Sequence, residues 1–335
     1  MKYYITSQSD SEAFSIPKNG PWLKFFETIF AAGHEIVPLE ECPDIIVFMN
    51  NHPNLLKRVA RVNKTAIKIL VLWEPKVTRT CNFSENNSRD FDFIFSPSPR
   101  WISGENVEYF PWPQGSGEDW KSEWVKWQER SNKMLVFQSN KFSFTKGELY
   151  SLRRMVIKGC REQIELYGSG WGDSRKTLLQ MSKAAYSHIK WNGLRELTLP
   201  RDCFFKPLNY KGYANEKKRL LSQTKFSLVI ENSNDYISEK LFDSAIAGNV
   251  AVYVGPPLET FGVPRIALEA SSNFESVYEA INRAQTDSSM IADIRESLYS
   301  YLGSMHFHQM RNDIALTYLA NRIILRANCR VNYEL

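Results

Sequence analysis

Between Lys225 and Pro257 the chain reads KFSLVIENSNDYISEKLFDSAIAGNVAVYVGPP. An apolar run ends at Glu231, a polar loop spans Asn232 to Ile237, and Ser238 stands where an N-cap belongs, ahead of a helix whose apolar residues are Leu241, Phe242, Ala245 and Ile246. Gly248 stops that helix, and a second apolar run from Val250 to Val254 completes a βαβ unit. In such units ligands sit outside the carboxyl ends of the strands, so the loop from Glu231 and the helix start face the crevice. A helix N-terminus offers unpaired N–H groups and the positive end of a dipole to an anion, and Lys240 in the first turn is placed to neutralise a diphosphate. Glu239 beside it has two readings: a carboxylate accepting hydrogen bonds from sugar hydroxyls, or an ordinary acidic complement to the dipole. Glu231, at the mouth of the strand, has the same two.

The elements that must hold these residues follow an alternating pattern. In the first third, apolar runs at Tyr3 to Thr6, Ile45 to Met49 and Ile67 to Trp73 are separated by helical stretches at Trp22 to Ala32 and Leu55 to Val62, which predicts a doubly wound parallel sheet. Phe91 to Phe95 and Val107 to Phe110 continue it. From Gln114 to Asn132 the chain turns polar and charged, with Trp120, Trp124 and Trp127, and reads as a partly helical connection. A second series follows: strands at Lys133 to Gln138, Ile164 to Tyr167, Phe226 to Glu231 and Val250 to Val254, with helices at Gly147 to Lys158 and Glu239 to Ala247. Residues Asp173 to Lys218 show no clear period, and read equally as ligand-facing loops or a surface excursion. The expected organisation is α/β, with a domain over 1–130, a second over 131–303, and a C-terminal helical segment over 304–335 whose last helix, about Met310 to Ala327, packs back on the first domain.

Composition bounds what such a protein does. At 335 residues it holds about two domains and needs no disulfide or metal staple to keep a core. With 43% hydrophobic and 24% charged residues it is neither disordered nor fibrous. A net charge of +5 is too small for a dedicated nucleic-acid binder and fits a small anionic ligand better. The five cysteines are scattered without a CxxC spacing, and His306 and His308 have no partner His or Cys nearby, so no metal is assigned to either set. Arg89-Asp90-Phe91-Asp92 contains an Asp-x-Asp pattern, read as the start of a strand or an acceptor-side feature rather than a metal site. The opening MKYYITS reads as a strand rather than a leader, and no apolar run reaches a membrane span, so a cytoplasmic protein is expected. The sequons at Asn63, Asn82 and Asn86 then carry little weight. Arg311, Arg322, Arg326 and Arg330 in the last helix are candidates for weak peripheral contact with an anionic inner-membrane surface, although a solvated helix face is the plainer reading.

Glu231-Asn232-Ser233, Asp235-Tyr236-Ile237-Ser238-Glu239-Lys240-Leu241, Ala247-Gly248, Val250-Ala251-Val252 and Gly255-Pro256 together resemble the hallmark of the α1,3/α1,4-fucosyltransferase family, departing from it at Ala251, where the family usually has Pro. Upstream, Ser139-Asn140, Glu148-Leu149-Tyr150-Ser151-Leu152-Arg153 and Leu166-Tyr167-Gly168-Ser169-Gly170-Trp171 are similar to that family's donor-domain segments. Leu72-Trp73-Glu74-Pro75 is similar to the segment that carries the family's proposed base, but lacks the Ser between Glu and Pro.

The resemblance implies a GT-B fold, two Rossmann-like doubly wound domains facing a central cleft. It implies transfer of L-fucose from GDP-fucose to a hydroxyl of a glycan acceptor, with inversion. By it Glu74 is the catalytic base, with Glu85 in the next loop as the fallback. Arg153 and Lys240 bind the diphosphate, Arg154 replacing Arg153 if the register slips by one. Glu239, Asn232, Tyr236, Glu231 and Asn140 complete the donor site, Tyr236 being equally readable as packing under the loop. No cofactor and no essential metal are expected. The partners are a nucleotide sugar and a glycan, for which a bacterial-type surface glycan is the expectation, and no nucleic acid. Two alternatives stay open: a GT-B transferase using another GDP-sugar, and a non-catalytic nucleotide- or sugar-binding protein.

Overall fold

The computed structural model describes residues 1–7, 13–18, 20–84, 86–98, 100–110, 112–114, 124–195 and 197–333. The chain divides into two compact units, Met1–Gly117 with Gln309–Leu335, and Glu118–His308.

In the first unit the elements run β1 (Lys2–Ile5), α1 (Pro21–Ala31), β2 (Glu35–Ile36), β3 (Ile45–Met49), α2 (Pro53–Val62), β4 (Ile67–Val71), α3 (Asn87–Asp90), β5 (Phe93–Ser96) and β6 (Val107–Tyr109). The described strands pair in the order β2-β1-β3-β4-β5-β6, all in parallel. Proline at the start of α1 and of α2 fixes φ where the helix has no use for an N–H. All five residues of β3 are buried, as a strand covered on both faces must be. The Asp-x-Asp pattern is divided between elements: Asp90 is exposed at the end of α3, while Asp92 Oδ2 accepts from the Lys68 N–H at 2.7 Å and ties β5 to β4.

The second unit contains β7 (Ser131–Phe137), α4 (Tyr150–Gly159), β8 (Ile164–Tyr167), α5 (Ser174–Asn192), α6 (Lys217–Ser222), β9 (Thr224–Ile230), α7 (Glu239–Ile246), β10 (Val250–Val254), β11 (Ala267–Glu269), α8 (Phe274–Thr286), α9 (Ser288–Leu302) and the start of α10 (Met305–Met310). Its described strands are also parallel, in the order β11-β10-β9-β7-β8. Phe226, Leu228 and Ile230 of β9 and Val250, Val252 and Val254 of β10 join one apolar core with α4 and α8. The alternate residues Ser227, Val229 and Glu231 lie on the opposite face, where Ser227 Oγ donates to Ser244 of α7. From Trp124 onward the stretch read as a connection is fastened to this unit: Trp124 Nε1 donates to Ile246 O at 2.9 Å, and Arg130 Nη1 to Ala247 O and Gly248 O at 3.1 and 2.7 Å. Trp120 lies outside the described residues.

The last helix, α11 (Asn312–Tyr333), lies against α1 in the first unit, burying Leu316, Leu319, Ile323 and small Ala315, Ala320 and Ala327 along one stripe. Its Arg322 pairs with Glu108 of β6, as does Arg326 at 2.8 Å, and Arg311 lies 3.4 Å from Asp313. The side chain of Arg330 lies outside the described residues. Residues 173–218, aperiodic as a sequence, hold the 19-residue α5 and the short α6. Asp173 caps α5 by accepting from the Lys176 N–H at 3.0 Å.

Candidate functional site

The strand order of the second unit reverses between β7 and β9: the chain passes from β7 to β8 on one side, then crosses to β9, β10 and β11 on the other. The crevice of a doubly wound sheet opens at this switch, outside the strand ends. Here the loops that reach it are 138–140 after β7 and 231–238 after β9. Arg153, on α4, joins the two. Its Nη1 donates to Ser139 O at 3.3 Å, and its Nη2 to Ile230 O at 2.7 Å, Glu231 O at 3.2 Å and Asn232 Oδ1 at 3.3 Å. The guanidinium rests 5.0 Å from the Tyr150 ring centre, and its Nε is buried without a partner. Burial lowers the Arg153 pKa to about 10, so it stays a cation at neutral pH. Among the described residues no carboxylate oxygen lies within ion-pair distance of it. Arg154 is spent elsewhere: Nε donates to Arg201 O at 2.6 Å and Nη1 to Lys141 O at 2.7 Å.

Two close approaches shape these strand ends. Gly168 has φ +144°, and a Cβ there would lie 2.1 Å from Gln138 O. At Gly255 a Cβ would meet Tyr253 Oη at 2.3 Å and Glu231 Cγ at 2.8 Å. The backbone must therefore be bare at both positions.

Glu231 is fully buried. Its Oε1 accepts from the Ser238 N–H at 2.9 Å, while Oε2 and the nearby Tyr253 Oη have no partner among the described residues. Burial pushes the carboxyl pKa up, against the opposing charge of Lys240. Burial also pushes Tyr253 well above the ordinary phenol range, with Glu231 adding to the effect. Ser238 caps α7, and its Oγ accepts from Lys240 Nζ at 2.9 Å. Lys240 lies 3.6 Å from Glu239 and holds that carboxyl below its usual range. The Glu239 side chain is 55% exposed, so this pair is screened by solvent and contributes little stability. Lys217, at the start of α6, adds a further cation: its Nζ lies 2.5 Å from Asp243 and acts on Glu239 through its charge. Asp243 is raised by burial, with Lys217 opposing.

Asn140 is buried, its Nδ2 donating to Gly170 O at 3.2 Å and its Oδ1 without a partner among the described residues. Asn232 is buried under Arg153 and anchors α4, its carbonyl accepting from the Leu149 N–H at 3.0 Å. Tyr236 is 7% exposed. The structure thus brings Arg153, Glu231, Asn232, Ser238, Lys240 and Glu239 into one connected set, with Asn140 joined through the 138–140 loop.

Glu74 belongs to the first unit, three residues past the end of β4, and is half-buried. Its main chain is held by Asn50, which follows β3 at φ 75° and is fully buried. Asn50 Oδ1 accepts from the N–H groups of Trp73 at 2.9 Å and Glu74 at 3.0 Å, and from Asn82 Nδ2 at 2.8 Å. Asn82 also donates to Glu74 O at 2.9 Å. The left-handed conformation that Asn tolerates turns its amide back onto the neighbouring strand end. Glu85 lies outside the described residues.

Sequence reasoning passed over Asn50, Asn82, Lys217 and Tyr253. Asn50 drew no reading, Asn82 was noted only as a sequon, Tyr253 read as one residue of an apolar strand, and Lys217 fell in the aperiodic stretch. The only signal for Lys217 was the cationic run Lys217-Lys218-Arg219.

No family model matches the chain. Over 123 residues, 36% of the chain, it is 31% identical to an Arabidopsis thaliana protein described as fucosyltransferase-like, and that stretch spans only 24% of the relative's own length. Among solved structures, Anabaena HepE in complex with UDP-glucose superposes with a TM-score of 0.55 at 10% identity, covering 97% of this chain and 99% of that one. An α1,3-fucosyltransferase gives a TM-score of 0.55 at 13% identity over 97% of this chain and 88% of its own. A UDP-forming α,α-trehalose-phosphate synthase of Burkholderia xenovorans gives 0.52 at 12% identity, with coverage of 92% and 77%. At such identities the structural likeness carries the fold alone. The chain has the GT-B fold, two Rossmann-like doubly wound units, and over 36% of its length it is similar to a plant protein described as fucosyltransferase-like.

Proposed function

We propose that the protein is an inverting glycosyltransferase that moves L-fucose from GDP-fucose to a hydroxyl of a glycan acceptor. The observation that carries this reading is the buried cation at the strand switch: Arg153 has no carboxylate partner among the described residues. It is tied through the Glu231 backbone to the loop that Ser238 closes and that presents Lys240 at the start of α7. A desolvated guanidinium held by neutral carbonyls is unfavourable on its own and favours an anion nearby. The longest Arg153 bonds, to Ser139 O and Asn232 Oδ1 at 3.3 Å, are the ones it would exchange for a phosphate oxygen.

In the proposed reaction the acceptor hydroxyl gives its proton to the Glu74 carboxylate as its oxygen forms a bond to the anomeric carbon. The bond from that carbon to the diphosphate breaks, and its electron pair leaves with GDP. Asn50 and Asn82 hold the Glu74 backbone for this step. Arg153, Lys240 and the N-terminus of α7 stabilise the departing charge, the larger share of such catalysis. Glu239, the exposed carboxylate of the set, accepts hydrogen bonds from donor hydroxyls, while buried Glu231 positions the 232–238 loop. These groups supply the charge that a divalent cation brings elsewhere, so we propose no resident metal or cofactor.

The relatives keep a second donor in view, because HepE binds UDP-glucose and the trehalose-phosphate synthase is UDP-forming. Thermal shift with GDP, UDP and ADP separates the bases. GDP gives the largest shift on this reading, and Lys240→Ala weakens GDP binding about ten- to a hundredfold, the worth of a charged hydrogen bond. A larger shift with UDP, or GDP binding unchanged in Lys240→Ala, overturns the assignment.

A further inference from the structure

Helix α5 turns a row of large apolar side chains outward. Its inner side is pinned by buried Thr177 and by His188, whose ring bridges Thr145 Oγ1 at 3.1 Å and Arg195 O at 2.9 Å. On the outer side Leu178, Leu179, Tyr186 and Ile189 are 55%, 56%, 67% and 53% exposed. At 3.6 residues per turn these four fall within an arc of about 100°, and Lys176, Lys183 and Lys190, seven residues apart, run along one border of it. The Lys190 ammonium lies over the rings of Tyr186 and Trp191, 5.9 and 5.3 Å from their centres. Past the helix, Leu194, Leu199, Phe204 and Leu208 are exposed as well. Between residues 174 and 211 there are eight lysines and arginines against two acidic residues. That excess of six exceeds the +5 of the whole chain, so the rest of the protein is close to neutral.

We propose that this face of the second unit docks in the plane of an anionic phospholipid bilayer. A folded surface rarely leaves so many neighbouring large apolar groups in water without a use for them. An apolar stripe that contains a tyrosine and is bordered by lysines matches a helix lying in the headgroup region: its leucines reach the acyl boundary and its ammonium groups stay among phosphates. Charge separates this occupant from the alternatives. A second copy placing the same face against this one would set like-charged lysine rows together, and a nucleic acid would use the lysines but leave the leucines in water. No described helix is long and apolar enough to cross a membrane, so α5 lies on the surface rather than spanning it. Arg322 and Arg326 of the last helix are engaged by Glu108, which leaves α5 the stronger basic face.

The test is co-sedimentation of the full chain with phosphatidylcholine vesicles and with vesicles that also contain phosphatidylglycerol. It requires neither sugar donor nor acceptor, so its outcome is independent of the transferase reading. The chain binds the anionic vesicles and not the neutral ones, and added salt weakens the binding. Lys176→Gln, Lys183→Gln and Lys190→Gln each lower it roughly fivefold, and together roughly a hundredfold. The pair Leu178→Ser and Ile189→Ser, exposed and so without cost to the fold, abolishes it while circular dichroism and melting stay those of the parent. Absence of binding to anionic vesicles overturns the proposal. So does a dimer in light scattering that this pair of substitutions splits, because a second copy then covers the face.

Discussion

A buried carboxyl with one oxygen unpartnered is a measurable feature, and Glu231 provides it. Burial raises its pKa, so over the interval between the ordinary glutamate value and its folded value the folded protein holds a proton that the unfolded chain has released. Stability from this group is therefore complete below the ordinary glutamate pKa and is lost as pH rises through the folded one. Glu231→Gln keeps an acceptor for the Ser238 N–H and removes the ionisation. Its melting temperature, measured against wild type from mildly acid to neutral pH, should start near parity and gain steadily; parallel profiles would show that Glu231 does not carry the penalty. At this scale the sequence was half legible. The motif located Glu231, Glu239 and Lys240, yet strand alternation alone could not say that Glu231 shares a face with Tyr253 and closes into the protein while Glu239 opens to water. Asn50 was illegible because its role depends on a left-handed turn and on three partners more than twenty residues away.

Among the elements, those that bury an apolar stripe or a whole strand could be read directly, as β3, β10 and α7 show. Helix α5 escaped for the opposite reason. Its large apolar residues point to solvent, so the pattern of a core-facing helix is missing although the Asp173 cap is present. The two-residue β2 and the three-residue β11 are too short to leave a period. Gly168 shows how an element end is fixed by one position, because the turn after β8 must pass against the carbonyl of Gln138. Gly168→Ala combines a disfavoured φ with a backbone clash and should cost about 2–4 kcal/mol in denaturant unfolding. A loss below roughly 0.5 kcal/mol, the range of ordinary surface changes, would mean that the turn relaxes freely and does not set the strand ends.

For the whole molecule, length alone suggested two domains, and the structure shows two units with their own parallel sheets. The chain returns through α11 to the unit in which it began, a course fixed by the apolar stripe laid on α1 and by the Arg322 and Arg326 pairs with Glu108. Charge is distributed with similar economy. The small surplus of the whole chain lies between residues 174 and 211, while the cations assigned to the donor, Arg153 and Lys240, are single residues that no total could have located. The proposed reaction divides its work between Glu74 as the base and Arg153 with Lys240 as the groups that hold the leaving diphosphate. Steady-state GDP release from GDP-fucose, with an acceptor found by array screening and EDTA present throughout, tests that division in wild type and in Glu74→Gln. Wild-type turnover should persist in EDTA, and Glu74→Gln should lose about 10²- to 10⁴-fold in kcat while binding GDP as before. Undiminished turnover in Glu74→Gln, or release of UDP from a UDP-sugar where GDP-fucose gives none, would contradict it.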